Sequence, residues 1–330
     1  MINILQDCLI YHILGLYQHR STMSSSQSDS IASLPHLPVE LHVRILKFLQ
    51  LPDTNKKIRI RNSVCHCQYG RRQEPSEIRK AWKQSIADLK SAVKTCKLLN
   101  QAGTELLYNE YPGQGVADIR LFLRTVIDNA DLRSYVKSAT LVFGSSGSPT
   151  RPRYQDFTLL LETGSQIKTL ELYELQNSWA EVYNCLDPAV APQLSRIESL
   201  TIGVPYLHSW DTIHRHYVLQ HLDSLRSLSL QLPPAYAWSL MDGHYRYLCQ
   251  NLPATTTQLH FLAPFATCGF SGHPQDKQDC KRKLLDFPAS VGNHVNLITV
   301  EVCYWADKKA EVPGWRTETD EQERVRFIRD

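Results

Sequence analysis

The segment IKTLELYE, residues 167–174, alternates apolar and polar side chains, which is the pattern of a β-strand with one buried face. Related segments recur along the second half of the chain: VKSATLVF from Val136, RIESLTIG around Ile197, LRSLSLQL from Leu225, TTQLHFL from Thr256 and LITVEV from Leu297. Successive segments start 31, 30, 28, 31 and 41 residues apart. The sequence therefore contains an internal repeat of a strand-forming unit.

The gaps between these segments hold short helix-like or loop stretches, such as residues 157–161 and 218–222. Strands that alternate with crossovers at this period are expected to be parallel. We therefore predict parallel strands over residues 111–306, in a fold class between α+β and α/β. The pattern leaves two architectures open: a solenoid of stacked repeats and an ordinary doubly wound α/β domain.

Alternation also assigns each side chain of a strand to one face of the sheet. If Leu170 and Leu172 point into the core, Thr169, Glu171 and Tyr173 point away from it. The same register predicts further outward residues: Ser199, Thr201, Ser227, Ser229, Gln231, Gln258, His260, Thr299 and Glu301. Such a face is hydroxyl-rich and weakly charged. It either recognises a protein surface through hydrogen bonds or is an ordinary solvated face.

Three tryptophans, Trp179, Trp210 and Trp238, follow successive strands at nearly the same distance, so we expect them at one end of the sheet. They form either a packing ladder beneath the loops or a ridge that contacts a partner, because Trp is common at binding hot spots. The packing ladder is the simpler interpretation. The candidate target-binding residues are Glu171, Tyr173, Thr201, Trp210, Ser229, Gln231, Trp238 and His260.

A second informative stretch, LPHLPVELHVRILKFLQL at residues 34–51, predicts a short amphipathic helix that ends before Pro52. Pro38 suits the first helical position, and Glu40 suits the first turn. The helix carries two apolar rows, one formed by Leu41, Ile45 and Leu49 and a neighbouring one formed by Val39, Val43 and Leu46. A helix this short with two apolar rows must be buried both against its own domain and against something else.

Further along the chain, helical spacing places Ile86, Leu89, Val93, Cys96 and Leu99 on one face. Together the two stretches resemble the F-box family, whose pattern is Leu-Pro-x-Glu-Leu followed by Ile-Leu-x-Phe/Tyr-Leu. The first half is matched by Leu37, Pro38, Glu40, Leu41, Ile45, Leu46, Phe48 and Leu49, and the second by Leu89, Val93, Cys96, Lys97, Leu106, Leu107 and Tyr108. Two features depart from the family: Leu98-Leu99 stand where an aromatic residue is frequent, and an insert at residues 54–85 separates the halves.

The strand repeat resembles an irregular leucine-rich-repeat solenoid, the usual companion of F-boxes, although its capping Asn is not regularly placed. The resemblance implies a substrate-recognition subunit of a Skp–cullin–F-box ubiquitin ligase, which holds a target protein and needs no catalytic group or cofactor. It implies a Skp-type adaptor, and through it a cullin, as partners. The residues that would build the F-box, some of them in contact with the adaptor, are Leu37, Pro38, Leu41, Ile45, Leu49, Leu89, Val93 and Cys96.

Two other functions stay open from the sequence. In one, the helical stretches are a hairpin that serves only as the N-terminal cap of a repeat-based scaffold. In the other, the chain associates with nucleic acid through residues 54–85, which carry nine Lys or Arg and two Glu and so sum to +7. Nucleic acid is the weaker prediction, because the whole chain has a net charge of only +3 and most basic runs are solvated loops.

We divide the sequence into four parts: an N-terminal extension at 1–33, an F-box-like helical domain at 34–110, a repeat domain at 111–306 and a charged C-terminal tail at 307–330. The extension contains a Ser-rich run that we expect to be disordered, and translation from Met23 would remove its first residues. Its apolar start is shorter than the roughly 18 residues of a membrane helix, so we predict no membrane partner. Nine cysteines without regular spacing predict reduced thiols and a cytoplasmic or nuclear location.

The sequence predicts neither a metal site nor a catalytic site. Cys65-His66-Cys67 and the set Cys268, His273 and Cys280 each lack the second close pair of ligands that zinc sites use. We find no nucleophile–base pair or acid–base pair of carboxylates. The chain is therefore predicted to be a binding protein and not an enzyme.

Overall fold

The computed structural model describes residues 42, 46–47, 76–94, 97–111, 119–143, 152–174, 182, 185–203, 218–231, 251–262, 288–301, 312–319 and 324–330. The chain divides into two compact units. The described residues of the first, the helical unit, are 42, 46–47, 82–94 and 97–107. The second, the sheet unit, holds residues 76–81 and those from Tyr108 onward.

The helical unit has a small apolar core. Helix α1 spans Ser76–Ala92 and helix α2 spans Lys97–Tyr108. The core joins residues from both helices to one residue of the preceding helical stretch: Leu46, Leu89, Ala92, Leu99 and Ala102, with Leu106 and Leu107 packed against them. Leu46 and Leu89 are each only 1% exposed. Leu46 of the first predicted apolar stretch therefore shares a core with residues of the second.

The helical face predicted from Ile86 to Leu99 is wrong in one respect, because it belongs to two helices. Helix α1 ends at Ala92, a turn follows at residues 93–94, and α2 begins at Lys97. The side-chain amide of Asn100 donates to the Val93 carbonyl over 3.1 Å, which satisfies one of the backbone acceptors left open at the end of α1. A residue on the second helix thus supports the end of the first.

Gly103 lies where α2 approaches this turn, and a Cβ atom there would collide with Val93 Cγ1 and lie 3.4 Å from Leu46 Cδ1. Alanine is favoured over glycine inside a helix by about 1 kcal/mol. We nevertheless expect Gly103→Ala to lower the stability of the helical unit by about 1–3 kcal/mol, because overpacking forces neighbouring side chains to move. Denaturant unfolding measures the change.

The exposed neighbour on the same helix provides the control for this prediction. Gln101→Ala should be neutral or slightly stabilising, since Gln101 is exposed. Combining Gly103→Ala with Val93→Ala should cost less than the sum of the two single changes, because the second removes the atom that collides. If the loss of stability in the double variant equals the sum of the two single losses, the contact with Val93 is not the reason for glycine at position 103.

The sheet unit is built on one nine-stranded sheet. The strands are β1 Glu110–Tyr111, β2 Ser138–Phe143, β3 Thr169–Glu174, β4 Ser199–Gly203, β5 Ser227–Gln231, β6 Gln258–Leu262, β7 Leu297–Glu301, β8 Trp315–Thr319 and β9 Arg324–Arg329. Strands β1 to β7 are parallel, and each lies beside the next one in the chain. The fold is α/β with a mostly parallel sheet, as the alternating pattern predicted for β2 to β7.

The register of the parallel strands keeps equivalent residues side by side. Leu170 of β3 pairs with Ala139 of β2 and Leu200 of β4, and the same row continues through Leu228, Leu259 and Ile298. A second apolar row runs through Leu141, Leu172, Ile202, Leu230, Phe261 and Val300. Both rows belong to one core. The inward assignment of Leu170 and Leu172 is confirmed.

Apolar side chains of the crossovers pack against the strands, and the described helices of the crossovers become shorter along the chain. The first ones contain α-helices, α3 Ile119–Asp128, α4 Ala130–Tyr135 and α5 Tyr154–Thr163. Later ones contain the 3-10 helix Pro188–Val190, helix α6 Ala191–Leu194, and the 3-10 helices Val218–His221 and Pro288–Ser290. Their apolar side chains, among them Phe122, Phe157, Leu194 and Leu219, join the core beneath the strands.

Within the segment 307–330, for which we predicted a charged tail, the described residues include the last two strands of the sheet. Strand β9 pairs antiparallel with β7, and β8 pairs antiparallel with β9. Val325 and Phe327 are fully buried in the core, while Arg326 between them is half-buried. The many charged residues of this segment made its half-buried strands hard to recognise from sequence.

Within the described residues, no helix has the length and hydropathy needed to cross a bilayer.

Candidate binding face of the sheet

The sheet presents a polar face opposite its core. Residues that alternate with the two apolar rows form a central row across β2 to β7: Thr140, Glu171, Thr201, Ser229, His260 and Thr299. Neighbouring strands lie about 4.8 Å apart, so this row is roughly 24 Å long. Glu171, Ser229 and His260 of this row are half-buried, whereas its three threonines are buried.

A parallel row lies one step toward the start of the strands. We call it the outer row, and it consists of Ser138, Thr169, Ser199, Ser227, Gln258 and Leu297. All six side chains are half-buried or exposed. Its first four members are small hydroxyl residues, and its last two are longer. Because each hydroxyl both donates and accepts, the row can pair with backbone or side-chain groups of a bound protein.

Glu171 is the acidic residue of the central row, and neighbouring hydroxyl groups hold its carboxylate. Thr140 Oγ1 donates to Glu171 Oε2 over 3.3 Å, and the Tyr173 hydroxyl donates to the same oxygen over 3.4 Å. Thr140 and Tyr173 are almost fully buried, whereas Glu171 is half-buried. Two buried donors thus orient a carboxylate that is partly accessible.

The central row is less open than the sequence suggested. Tyr173 is 2% exposed and Thr201 is 7% exposed, so these two predicted target-binding residues present little surface. Tyr173 acts through its hydrogen bond to Glu171. Ser229 and His260 are half-buried and Gln258 is exposed, so these side chains, with Glu171 and the outer row, make up the accessible surface.

Several predicted site residues lie outside the described part of the chain: Leu37, Pro38, Leu41, Ile45, Leu49, Cys96, Trp179, Trp210, Trp238 and the side chains of Gln231 and Glu301. Of the predicted F-box residues, Leu89 and Val93 are described, and both are buried in the helical unit. They therefore build the unit instead of presenting its surface. The insert predicted at 54–85 is described from Ser76, where α1 begins.

The polar face continues onto the two C-terminal strands, which the sequence analysis did not include. Arg326 lies beside Thr299, and Ile328 lies beside Leu297. On β8, Glu318 lies beside Arg326 and Arg316 beside Ile328, with Arg316 Nε 3.0 Å from Glu318 Oε1. The face therefore changes from hydroxyl-rich to charged along the sheet. The alternation of apolar and charged residues in RVRFIR, residues 324–329, could have predicted strand β9 from the sequence.

The described residues of this face show no metal-binding cluster, and the side chains with clearly shifted pKa values, Tyr154 and Arg196, lie away from it. The described residues contain no group of His, Cys, Asp and Glu side chains arranged to hold a metal ion. Shifted pKa values occur away from the face: burial raises the pKa of the Tyr154 hydroxyl on α5, with smaller contributions from Asp187 and Cys185, and burial lowers the pKa of the Arg196 guanidinium. Arg196 Nη2 donates to the carbonyls of Leu161 and Gly164 and thus ties the end of α5 to the next repeat.

Comparison with known proteins gives no assignment. No protein-family model, no curated protein and no solved structure matches this chain.

Proposed function

We propose that this chain is the substrate-recognition subunit of a Skp–cullin–F-box ubiquitin ligase, with an F-box in its helical unit and an irregular leucine-rich-repeat solenoid in its sheet unit. One observation carries most of the weight. The core of the helical unit joins Leu46, from the first half of the motif, to Leu89 and Leu99, from the second half. One residue of the first half thus lies in a core with residues of the second, although an insert separates the halves in sequence, and this supports a single F-box.

Burial within this unit also indicates which side of the helix predicted at residues 34–51 faces the core. His42 and Leu46 are helical, lie four residues apart and are both buried, so they mark the inward side. Leu41, Ile45 and Leu49 lie outside the described residues, and sequence spacing alone assigns them to a different face of an ideal helix. That second row is the surface we assign to the adaptor.

The strand order supports a solenoid over the doubly wound alternative. A doubly wound sheet reverses its strand order at a switch point, where its ligands bind. Here strands β1 to β7 follow one another without reversal, and their register repeats from strand to strand. Each repeat adds one strand and one crossover to a growing stack, which is the way leucine-rich repeats bury a continuous core.

In this proposal the sheet face holds a target protein while the adaptor links the chain to the cullin. Ubiquitin transfer is then accelerated by proximity, since holding two reactants together replaces a bimolecular encounter. The chain itself supplies binding surfaces and no reacting group. Glu171 and the outer-row hydroxyls are the groups we assign to target contact.

The test of the proposal is co-purification of the full chain with a Skp-type adaptor. Wild-type chain should bind, and Leu41→Asp combined with Ile45→Asp should weaken binding at least about a hundredfold, because it buries two unpaired charges in the interface. The matched control is Lys90→Asp, which introduces the same residue at an exposed position of α1 and should leave binding unchanged.

Two results would contradict the assignment. Wild-type chain that fails to bind the adaptor, or a folded double variant that binds as well as wild type, excludes an F-box at residues 34–51. If deletion of residues 34–107, which leaves strand β1 in place, then lowers the melting temperature of the sheet unit, the helical segment is a cap of a repeat-based scaffold. Circular dichroism of each variant establishes that it is folded.

A further inference from the structure

Strand β8 lies at the edge of the sheet, and its backbone geometry can be worked out from the bonds around it. Its register with β9 pairs Trp315 with Arg329 and Thr317 with Phe327. One step before β8, the Asp330 amide donates to the Gly314 carbonyl over 3.3 Å. Hydrogen-bonded and non-hydrogen-bonded pairs alternate in an antiparallel ladder, so the peptide groups of Arg316 and Glu318 point toward β9. Those of Thr317 and Thr319 therefore point to the side of β8 away from β9, where no described strand pairs with it.

A second bond agrees with this assignment. The Arg329 amide donates to the Asn296 carbonyl over 2.9 Å, so the peptide group of Arg329 points toward β7. The residues on either side of it, Ile328 and Asp330, then point toward β8, as the alternation requires. Among the described strands, β8 pairs with β9 alone, and the backbone N–H and C=O of Thr317 face the other way.

Thr317 also carries an unpartnered polar atom. Its side chain lies on the same face as Phe327, which is fully buried, and its Oγ1 is buried without a hydrogen bond. A buried hydroxyl without a partner is unfavourable, so one is expected to find a donor or an acceptor. At this position both the backbone and the side chain of one residue lack a partner within the described structure.

The charged residues on either side of Thr317 are opposite in sign, so two antiparallel copies of the strand would be complementary. Arg316 and Glu318 lie on the polar face of β8, with side chains 64% and 45% exposed. If a second copy of β8 is placed antiparallel with a two-fold axis at Thr317, Arg316 of each copy lies opposite Glu318 of the other. Opposite charges directly across an antiparallel pair are stabilising, and like charges are destabilising.

We propose that two copies of this chain associate through β8, antiparallel, with the two-fold axis at Thr317. The Thr317 amide of each copy donates to the Thr317 carbonyl of the other, and the two Thr317 hydroxyl groups face each other closely enough for one to donate to the other. The Arg316–Glu318 pairs occupy non-hydrogen-bonded positions, where Cα atoms are about 4.5 Å apart and side chains are closest. The two sheets become one continuous sheet. This inference does not depend on the function proposed above.

Charged residues on an edge strand usually prevent such pairing. They do so when the second strand brings like charges together, and here the order of the charges does the reverse. The contact is short, because the Trp315 amide already donates to the Val312 carbonyl and is not available to the second copy. A small polar interface of this kind implies a weak dimer, with a dissociation constant on the order of micromolar.

Sedimentation equilibrium of the full chain, over concentrations from about 1 to 200 micromolar, tests the proposal. Wild type should show a monomer–dimer equilibrium. Arg316→Glu and Glu318→Arg, made separately, should each weaken dimerisation at least about tenfold, because each places like charges opposite one another. The double variant with both changes restores the complementary order and should dimerise as wild type does.

Mixing the two single variants gives the sharpest result. In a homodimer of either single variant, like charges lie opposite one another. One variant carries two acidic residues at positions 316 and 318 and the other carries two basic residues, so a mixture should form a heterodimer at least as tight as the wild-type dimer. Arg133→Glu, on the exposed surface of α4, is the control and should change nothing. A monomeric wild type, single variants that dimerise normally, a double variant that fails to recover, or a mixture that stays monomeric would each overturn the proposal.

Discussion

Replacing Phe261 with alanine should destabilise the sheet unit by about 3–5 kcal/mol, because a fully buried aromatic side chain is removed from the core. Phe261 lies in an apolar row between Leu230 of β5 and Val300 of β7. Its ring is flanked by side chains fixed to two neighbouring strands, so the cavity can close only if the sheet itself deforms. At about 2–4 °C for each kcal/mol in a unit of this size, the melting temperature should fall by about 6–20 °C.

The matched control for this prediction is on the opposite face of the neighbouring strand. Ser229→Ala, in the central row of β5, removes a half-buried hydroxyl and should change stability by less than about 1 kcal/mol. Calorimetry of both variants gives the comparison, with the transition of the sheet unit assigned from the wild type. Equal losses from the two substitutions would mean that the division of the sheet into an apolar and a polar face is wrong.

The strands from β2 to β7 could be predicted because their sequences alternate with a strict period of two and recur at a regular distance. A face buried along its whole length selects apolar residues at the same register positions in every repeat, such as Leu170, Leu200 and Leu228. A one-residue slip would turn these side chains out of the core. The pattern therefore predicted the strands, their parallel direction and their register.

Strands β8 and β9 could not be recognised in the same way. They are antiparallel, they lie outside the repeat, and their polar positions hold charged residues such as Arg316, Glu318 and Arg326. The high charge led us to predict a tail. What makes β9 a strand is its pairing with β7, which buries Phe327 beside Ile298, and such pairing between distant segments is not visible in local composition.

The sequence predicted which residues point away from the core, but not how deeply each of them is buried. Alternation correctly separates Glu171 from Leu170 and Leu172, yet it does not tell that Tyr173 and Thr201 are buried. Depth depends on what else packs over each strand. The same limit applies to the helical unit, where apolar spacing did not reveal the break between Ala92 and Lys97.

Arg329 should be the most important charged residue for the stability of the sheet's C-terminal end. Its guanidinium donates to the carbonyls of Val295 over 2.8 Å and Gly292 over 3.1 Å, and to Asn293 Oδ1 over 3.4 Å. Its Cζ also lies 4.3 Å from the ring centre of Trp315. One side chain thus joins the loop before β7, the last strand and the start of β8.

Arg329→Ala should therefore lower the free energy of unfolding by about 3 kcal/mol, because hydrogen bonds from a charged group are worth about 1.5–3 kcal/mol each and their losses are not fully additive. Arg329→Lys should lose most of the same energy, since a single ammonium cannot reproduce a planar fork that serves two carbonyls and also stacks on an indole. Arg133→Ala, on the exposed surface of α4, should cost less than about 0.5 kcal/mol. Denaturant unfolding ranks the three variants. If lysine restores wild-type stability, the charge alone matters, and the fork geometry is not what joins the last strand to the sheet.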